Sequence, residues 1–354
     1  MLPKTDAQKR DVVEVTMSSQ IEKLNGNIAK PNVTRSPLVE TLNYNVKMEV
    51  NKIIEGNCLT VLKTMPDNSV DCCITSPPYW GLRDYGHSEQ LGSEKHFKDF
   101  VNNLCNVFDE IKRVLKDTGT CFVNLGDTYG TQSGSMGTGL IEPKYGHNES
   151  RDFKQPNINM HKSLCLVPER FAIEMIDRGW TIRNQIIWHK PNQMPSSATD
   201  RFTVDFEKIF FFVKQPMGYY FEQQLEPYTE PLDRWAGQMV RGNYKTKTEQ
   251  FAVQERNGRD MRPNPEGKNM RTVWSINTEP STEAHFATYP QRLVERMLKA
   301  GCPENGIVLD PFFGSGTTGV YARKVNRNFV GIELNPEYVK IAENRLFKEI
   351  GMFL

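Results

Sequence analysis

Apolar residues fall into short unbroken runs, and between these runs they recur every three or four positions. The runs are Lys52-Ile53-Ile54, Val70-Asp71-Cys72-Cys73-Ile74, Cys121 to Leu125, Glu207 to Val213, Ile307-Val308-Leu309 and Phe329-Val330-Gly331-Ile332, and Ile182 to Trp188 is expected to be a further strand. Runs of this length and β-branched content predict strands buried on both faces. The periodic stretches predict helices over Asn57 to Met65, Lys95 to Lys116, about Pro168 to Arg178, Pro290 to Lys299, and Pro336 to about Glu349. Asp117-Thr118-Gly119 is expected to close the second of these, and a further helix follows Gly319. Strand and helix alternate, so the expected fold is α/β with a mostly parallel sheet built one crossover at a time.

Three stretches interrupt this rhythm. Residues 1–48 are polar, with Pro31 and Pro37, and read as a mobile arm. Residues 126–162 are rich in Gly, Ser, Asn and Thr and read as a mobile loop. Residues 215–272 are irregular, and from Arg234 to Arg271 nine Lys or Arg stand against four acids. That segment is either a solvated insertion or a nucleic-acid surface, since Trp235, Tyr244 and Phe251 are interleaved with the charge. The expected organisation is thus an arm (1–48), one α/β domain (49–214 and 273–354) and an insertion (215–272). The polar loop His189 to Asp200 is expected at the sheet edge where the strand before Ser76 ends.

Composition narrows the class. A net charge of +1 over 354 residues gives no global field for nucleic acid, so any basic footprint is local. The seven cysteines show no Cys-x-x-Cys spacing and the histidines no His-x-x-x-His, so no metal site is expected. Scattered cysteines in apolar contexts suggest reduced thiols and a cytoplasmic location. No apolar run approaches the roughly eighteen residues of a membrane span, and the polar start carries no signal peptide.

Two stretches carry chemistry. After Ile74 comes Thr75-Ser76-Pro77-Pro78-Tyr79-Trp80. Two prolines end the strand abruptly and hold the Ser76 hydroxyl and the Pro77 carbonyl as preset acceptors beside two aromatic rings. Such a cluster suits a planar group bearing an exocyclic amine. Far down the chain, Asp310-Pro311-Phe312-Phe313-Gly314-Ser315-Gly316-Thr317-Thr318-Gly319 joins a strand to a helix, and Glu333 ends the next strand. The glycines admit close backbone approach, the helix start offers N–H groups, and Glu333 can accept from a ribose diol. A nicotinamide dinucleotide enzyme is the rival reading, but only about twenty residues follow Glu333, too few for a second mononucleotide half.

Thr75-Ser-Pro-Pro-Tyr79 followed by Asp310-Pro-Phe-Phe-Gly-Ser-Gly-Thr-Thr318 resembles the beta class of DNA amino-methyltransferases, in which the catalytic motif precedes the cofactor motif. Gly56-Asn57-Cys58, Trp188-His-Lys-Pro191, Asp205-Phe-Glu-Lys-Ile209 and His285-Phe-Ala-Thr-Tyr-Pro290 agree with it, and the likeness spans roughly residues 51–350. The resemblance implies a circularly permuted, Rossmann-like sheet of the S-adenosylmethionine-dependent type. It implies S-adenosylmethionine at Asn57, Thr75, Thr288, Asp310, Phe312, Gly314, Ser315, Gly316, Thr317, Thr318 and Glu333, and the target base at Ser76, Pro77, Pro78 and Tyr79. Asn57 stands where many relatives carry Asp.

The chemistry agrees with that likeness. An exocyclic amine is a poor nucleophile because its lone pair is delocalised, and acceptors on both its hydrogens favour the pyramidal, reactive form. The base must leave the duplex to reach them, with Tyr79 as stacking platform. No Pro-Cys dipeptide is present, which argues against cytosine carbon-5 chemistry through a thiolate. In the resembled family, Ser at the first motif position goes mostly with cytosine N4 and Asp with adenine N6. The expectation is therefore cytosine N4, with adenine N6 the alternative and a non-catalytic S-adenosylmethionine-binding module a remoter one. Duplex DNA is the expected partner, and a restriction–modification setting would add a cognate endonuclease. Target recognition is expected in 215–272, with Arg241, Lys245, Lys247, Arg256, Arg259, Arg262 and Arg271 as candidate DNA contacts, joined by Arg83 and His87 beyond the catalytic turn.

Overall fold

The computed structural model describes residues 48–82, 87–130, 160–228, 264, 266–279 and 289–351. Residues 1–47 of the expected arm (1–48) and most of the loop expected over 126–162 lie outside these residues. The chain runs β1 (Lys52–Glu55), α1 (Cys58–Thr64), β2 (Val70–Thr75), α2 (Phe97–Val114), β3 (Leu115–Leu125) and α3 (Val167–Asp177). It continues through β4 (Thr181–His189), β5 (Phe206–Val213), β6 (Leu225–Glu226), β7 (Lys268–Asn269) and β8 (Val273–Ser275). It ends with α4 (Gln291–Gly301), β9 (Ile307–Asp310), α5 (Thr317–Lys324), β10 (Asn328–Glu333) and α6 (Pro336–Ile350).

Eight strands form one sheet in the order β1-β10-β9-β2-β3-β5-β4-β8. All neighbouring pairs are parallel except those of β5, which runs antiparallel to both β3 and β4. The apolar runs of β2, β3, β5, β9 and β10 are explained by burial on both faces. Cys73, Cys121, Val123, Phe210 and Phe212 point into a core with Leu62 of α1, Phe100 and Phe108 of α2 and Phe171 of α3. Their neighbours Cys72, Ile74, Phe122 and Phe211 point the other way, towards Leu293 and Met297 of α4, Val320 of α5 and Leu346 of α6. Phe122 and Phe211 stack across β3 and β5 with centroids 4.6 Å apart. Each fully buried side chain of this size contributes about 1.5–3 kcal/mol relative to exposure.

Three details depart from the sequence reading. The reversal of β5 arises because β4 and β5 are joined by a segment without a helix, and a parallel return needs a crossover, usually helical. The helix expected to reach Lys116 stops at Val114, and Leu115 already pairs with Val70. The register then shifts before Cys72 meets Thr120, so the expected Asp117-Thr118-Gly119 turn is an irregularity within β3. Inside the expected insertion, β6 and β7 form a two-stranded antiparallel ribbon, and the short edge strand β8 was not expected at all.

Candidate active site

β2 and β9 lie side by side with Cys72 opposite Val308 and Cys73 opposite Leu309, so they end together at one edge. There the Thr75 hydroxyl donates to Asp310 Oδ1 across 2.7 Å. Asp310 is buried and takes three further hydrogen bonds, from Phe312 N (3.1 Å), Thr318 Oγ1 (2.6 Å) and the Tyr289 hydroxyl (3.0 Å). Burial pushes the Asp310 carboxyl above the usual carboxylate range, and its four donors pull against that rise. Burial and the neighbouring Asp310 charge push the Tyr289 phenol well above its ordinary value, and this hydroxyl also pairs with Thr318. These four residues tie the proline turn after β2 to the glycine turn after β9.

The two turns open into one cavity of about 680 Å³. Of the residues expected at the cofactor, Asn57, Phe312, Gly314, Ser315, Thr317 and Glu333 line it, as do Ser76, Pro77, Pro78 and Tyr79 expected at the base. Thr75, Asp310, Gly316 and Thr318 are buried beneath the lining, where they shape the turns. Gly316 caps α5 with φ +79°, and a Cβ there would come within 3.0 Å of Ala342 in α6. Arg345 of α6 braces the same loop, donating to Thr317 Oγ1 at 2.8 Å.

Glu333 holds the loop from the other side. Its Oε2 accepts from Gly314 N at 2.7 Å and its Oε1 from Asn335 N at 2.8 Å. A carboxylate has about four lone-pair sites, so these bonds do not exhaust its capacity to accept from a diol. Burial pushes this carboxyl upward as well. Asn57 has a role the sequence reading did not give it: its Oδ1 caps α1, accepting from Leu59 N (3.0 Å) and Thr60 N (3.3 Å). Beside it, burial pushes the Cys58 thiol up to about 12, so this cavity-lining cysteine is protonated at neutral pH and carries no thiolate.

On the base side, Tyr79 is held by partners that sequence reasoning missed. Its hydroxyl donates to Glu207 Oε2 (2.8 Å) and accepts from Asn124 Nδ2 (2.9 Å). Asn124 also donates to Glu207 Oε2 at 2.7 Å and lies 3.4 Å from Ser76 Oγ. Glu207 is ion-paired with Lys190, which sits 4.3 Å over the Trp188 ring, and all four residues line the cavity. A Cβ on Gly126 would fall 2.5 Å from the Tyr79 ring, so the Gly126 backbone lies close against that ring. Trp80 corrects the expectation of a second aromatic platform. It is buried, donates its indole N–H to Glu94 O at 2.8 Å and packs edge-on against Phe97.

The expected DNA contacts divide. His87 lines the cavity. Arg271 pairs with Glu226 of β6 at 2.6 Å. Arg83, Arg241, Lys245, Lys247, Arg256, Arg259 and Arg262, together with the expected cofactor residue Thr288, lie outside the described residues. Lys190 and Glu207 had a signal in the sequence, since both fall in segments that matched the resembled family, but nothing there assigned them a role.

Comparison with known proteins follows the same lines. A family model described as DNA methylase, for N6 and N4 modification, matches residues 70–344. The chain is 41% identical to the type II methyltransferase M.Cfr9I of Citrobacter freundii over 318 residues, covering 88% of this chain and 93% of that one. It is 38% identical to M.SmaI of Serratia marcescens, covering 84% and 91%. Among solved structures, a PvuII DNA methyltransferase described as cytosine-N4-specific superposes with a TM-score of 0.53 at 18% identity, covering 82% of this chain and 84% of that one. A putative DNA modification methylase of Thermus thermophilus, solved with S-adenosyl-L-methionine, gives 0.52 at 22% identity, covering 85% and 96%. At these identities the structural likeness is one of fold. Motif, cavity and relatives agree: the chain belongs to the N6/N4 DNA methylase family, as a beta-class DNA amino-methyltransferase.

Proposed function

We propose that this chain transfers a methyl group from S-adenosylmethionine to the N4 amine of a cytosine flipped out of duplex DNA, as the modification component of a type II system. The observation that carries this reading is the 2.7 Å bond between Thr75 and Asp310, which sets the proline turn and the glycine turn on adjacent strand ends above one cavity. A cavity of about 680 Å³ falls within the range of about 300–1,000 Å³ typical of small-molecule sites.

The residues present fit the cofactor. Glu333 keeps capacity to accept from a ribose diol, and Gly314, Ser315 and Thr317 present a tight loop beside it. Asn57 and Phe312 complete that wall, while Thr75, Asp310, Gly316 and Thr318 support it from beneath. When bound, S-adenosylmethionine supplies an electrophilic methyl on a sulfonium.

The chain's own residues then do the following. Ser76 Oγ and the Pro77 carbonyl accept from the two amine hydrogens and localise the nitrogen lone pair. Tyr79, clamped at its hydroxyl by Glu207 and Asn124 and close to Gly126, is the stacking platform for the base. Pro77 and Pro78 keep the turn from relaxing, so little reorganisation precedes attack. Ser at position 76 favours cytosine N4 by the family resemblance, with adenine N6 the second reading. The chain order, with the proline motif first, is read as a circular permutation of the methyltransferase sheet.

Target recognition is assigned to residues 215–272, an insertion within a catalytic domain formed by 49–214 and 273–354. Replacing that segment with a relative's should move the methylated site, and an unmoved site would reject the assignment. The activity itself is tested by incubating the protein with labelled S-adenosylmethionine and unmethylated DNA, then separating nucleosides by mass. N4-methylcytosine is expected. N6-methyladenine would replace the base assignment, and no labelled nucleoside at all would overturn the reading.

A further inference from the structure

The segment joining β4 to β5 is an ordered finger. At its root Lys190 N donates to Asp205 O at 2.7 Å, and the Lys190 ammonium pairs with Glu207. Higher up, Ser196 N reaches Thr203 Oγ1 at 3.4 Å. Asn192 is fastened to Thr278 by three bonds, Nδ2 to Thr278 O at 3.1 Å and to Thr278 Oγ1 at 3.0 Å, and Thr278 N to Asn192 Oδ1 at 2.9 Å. The tip is tied down as well. Asp200 pairs with Lys162 at 2.7 Å, and the Arg201 guanidinium lies 3.6 Å from the centroid of the Tyr129 ring. Immediately after these two anchors stands Phe202, 96% exposed, and Met194 on the same finger is 77% exposed.

A bare Phe on a floppy loop would mean little. A bare Phe next to two anchored residues, on a finger whose two feet line the reaction cavity, is held out for contact. The finger's other apolar side chains, Val204 and Phe206, are also exposed, so the patch extends back towards the cavity wall. Whatever delivers a base to Ser76 and Tyr79 must arrive at this edge of the sheet. A base leaving a duplex opens a gap between its former neighbours, and a flat apolar side chain can fill that gap and hold it open.

We propose that the β4–β5 finger is a DNA-inserting element, with Phe202 entering the base stack of the duplex at the target and Met194 packing beside it. The inference rests on the methyl-transfer reading above and adds to it an interaction surface whose partner is the opened base stack. The finger supplies shape and apolar area, since its own charges, Lys190 and Arg201 against Asp200 and Asp205, cancel.

The test uses the full chain and duplexes containing the site mapped from DNA that the protein has methylated. Phe202→Ala and Phe202→Trp are compared with the parent on a fully paired duplex and on one with the target base mismatched. Because unstacking and unpairing cost a few kcal/mol, the Ala variant should lose about tenfold or more in kcat/KM on the paired duplex, and far less on the mismatched one where opening is cheap. The Trp variant should recover most of the loss. With 2-aminopurine replacing the target base, the fluorescence rise on binding should shrink in the Ala variant. Equal losses on both duplexes, or no loss, would overturn the inference. So would a fall in melting temperature with an unchanged fluorescence rise, the result expected if Phe202 packs against another part of its own chain. If the parent itself methylates neither genomic DNA nor any duplex, the reading beneath the inference fails and takes it along.

Discussion

Thr75 and Asp310, 235 positions apart in the chain, share a 2.7 Å hydrogen bond at the ends of adjacent parallel strands. The bond is buried, and each partner begins one of the two turns that form the cavity. A polar pair in such a place costs desolvation, which its hydrogen bonds must offset. It is kept, in this reading, because it locks the spacing between the base site and the cofactor site.

Removing the hydroxyl while keeping the shape isolates that role. Thr75→Val leaves Asp310 with three donors in a buried site and should destabilise the fold by about 1–3 kcal/mol. Affinity for S-adenosylmethionine should weaken with it, and Thr75→Ser should restore both. Urea unfolding and calorimetric titration of the cofactor read the two effects. An unchanged unfolding midpoint in the Val variant would mean that the bond does no structural work.

The Tyr79 clamp makes a separate prediction. Glu207→Gln keeps an acceptor for the Tyr79 hydroxyl but leaves the mostly buried Lys190 charge without its partner. Breaking such a pair is costly, about 3–5 kcal/mol when it is fully buried, and somewhat less here because both side chains keep some exposure. Adding Lys190→Met should recover stability. Methyl transfer should stay depressed in the double variant, with KM for the cofactor unchanged, since the neutral amide accepts from the Tyr79 hydroxyl and Asn124 more weakly than the carboxylate does. Recovery of kcat together with stability would reduce Glu207 to a packing role.

β2, β3, β5, β9 and β10 were readable from sequence because they are largely buried on both faces, so each leaves an apolar run. The direction of β5 is not carried by its own residues, since reversing a strand changes none of them, but by the helix-free segment that precedes it. The residue types of both turns were readable because prolines and glycines impose backbone geometry locally. The roles of Asn124 and Glu207 were not, because nothing in their own strands singles them out from the other polar residues there. What they touch depends on which strands become neighbours, here β2, β3 and β5. Trp80 shows the same limit from the other side. An aromatic residue after a proline turn looks alike whether it stacks on a ligand or, as here, fills the core against Phe97.

Gly126 tests the platform sterically. A methyl group at this position would lie 2.5 Å from the Tyr79 ring, closer than such contacts allow, so Gly126→Ala must displace the ring. The expected result is a loss of about tenfold or more in kcat with cofactor affinity retained. A variant with wild-type kcat would show that the ring's position is not used.

The elevated Glu333 carboxyl gives a pH prediction with a definite sign. Burial raises its pKa in the folded state above the unfolded value of about 4.3, so the folded protein holds this proton more tightly. Its contribution to stability is therefore full below that value and is lost as pH rises through the folded pKa. Glu333→Gln removes the effect. The stability of the parent relative to the Gln variant should fall as pH is raised from about 4 towards neutrality. A difference that stays constant over that range, measured by urea unfolding, would show that Glu333 titrates as a solvated carboxylate.

Asn57 carries two roles that one pair of variants can separate. Its Oδ1 caps α1, and Ala at an N-cap costs about 0.5–2 kcal/mol, so Asn57→Ala should lose that much stability whatever happens at the cavity. Asp caps as well as Asn and adds a negative charge at the positive end of the helix, a gain of about 0.3–1 kcal/mol. Asn57→Asp should therefore match or exceed the parent in stability. If the side-chain oxygen also accepts from the cofactor's adenine amine, Asp keeps that acceptor, so cofactor affinity should hold or rise in Asn57→Asp and fall in Asn57→Ala by more than the loss of stability explains. Because Asn57 lines the cavity wall while its oxygen faces the start of α1, affinity that follows stability alone in both variants would leave the cap as its whole function.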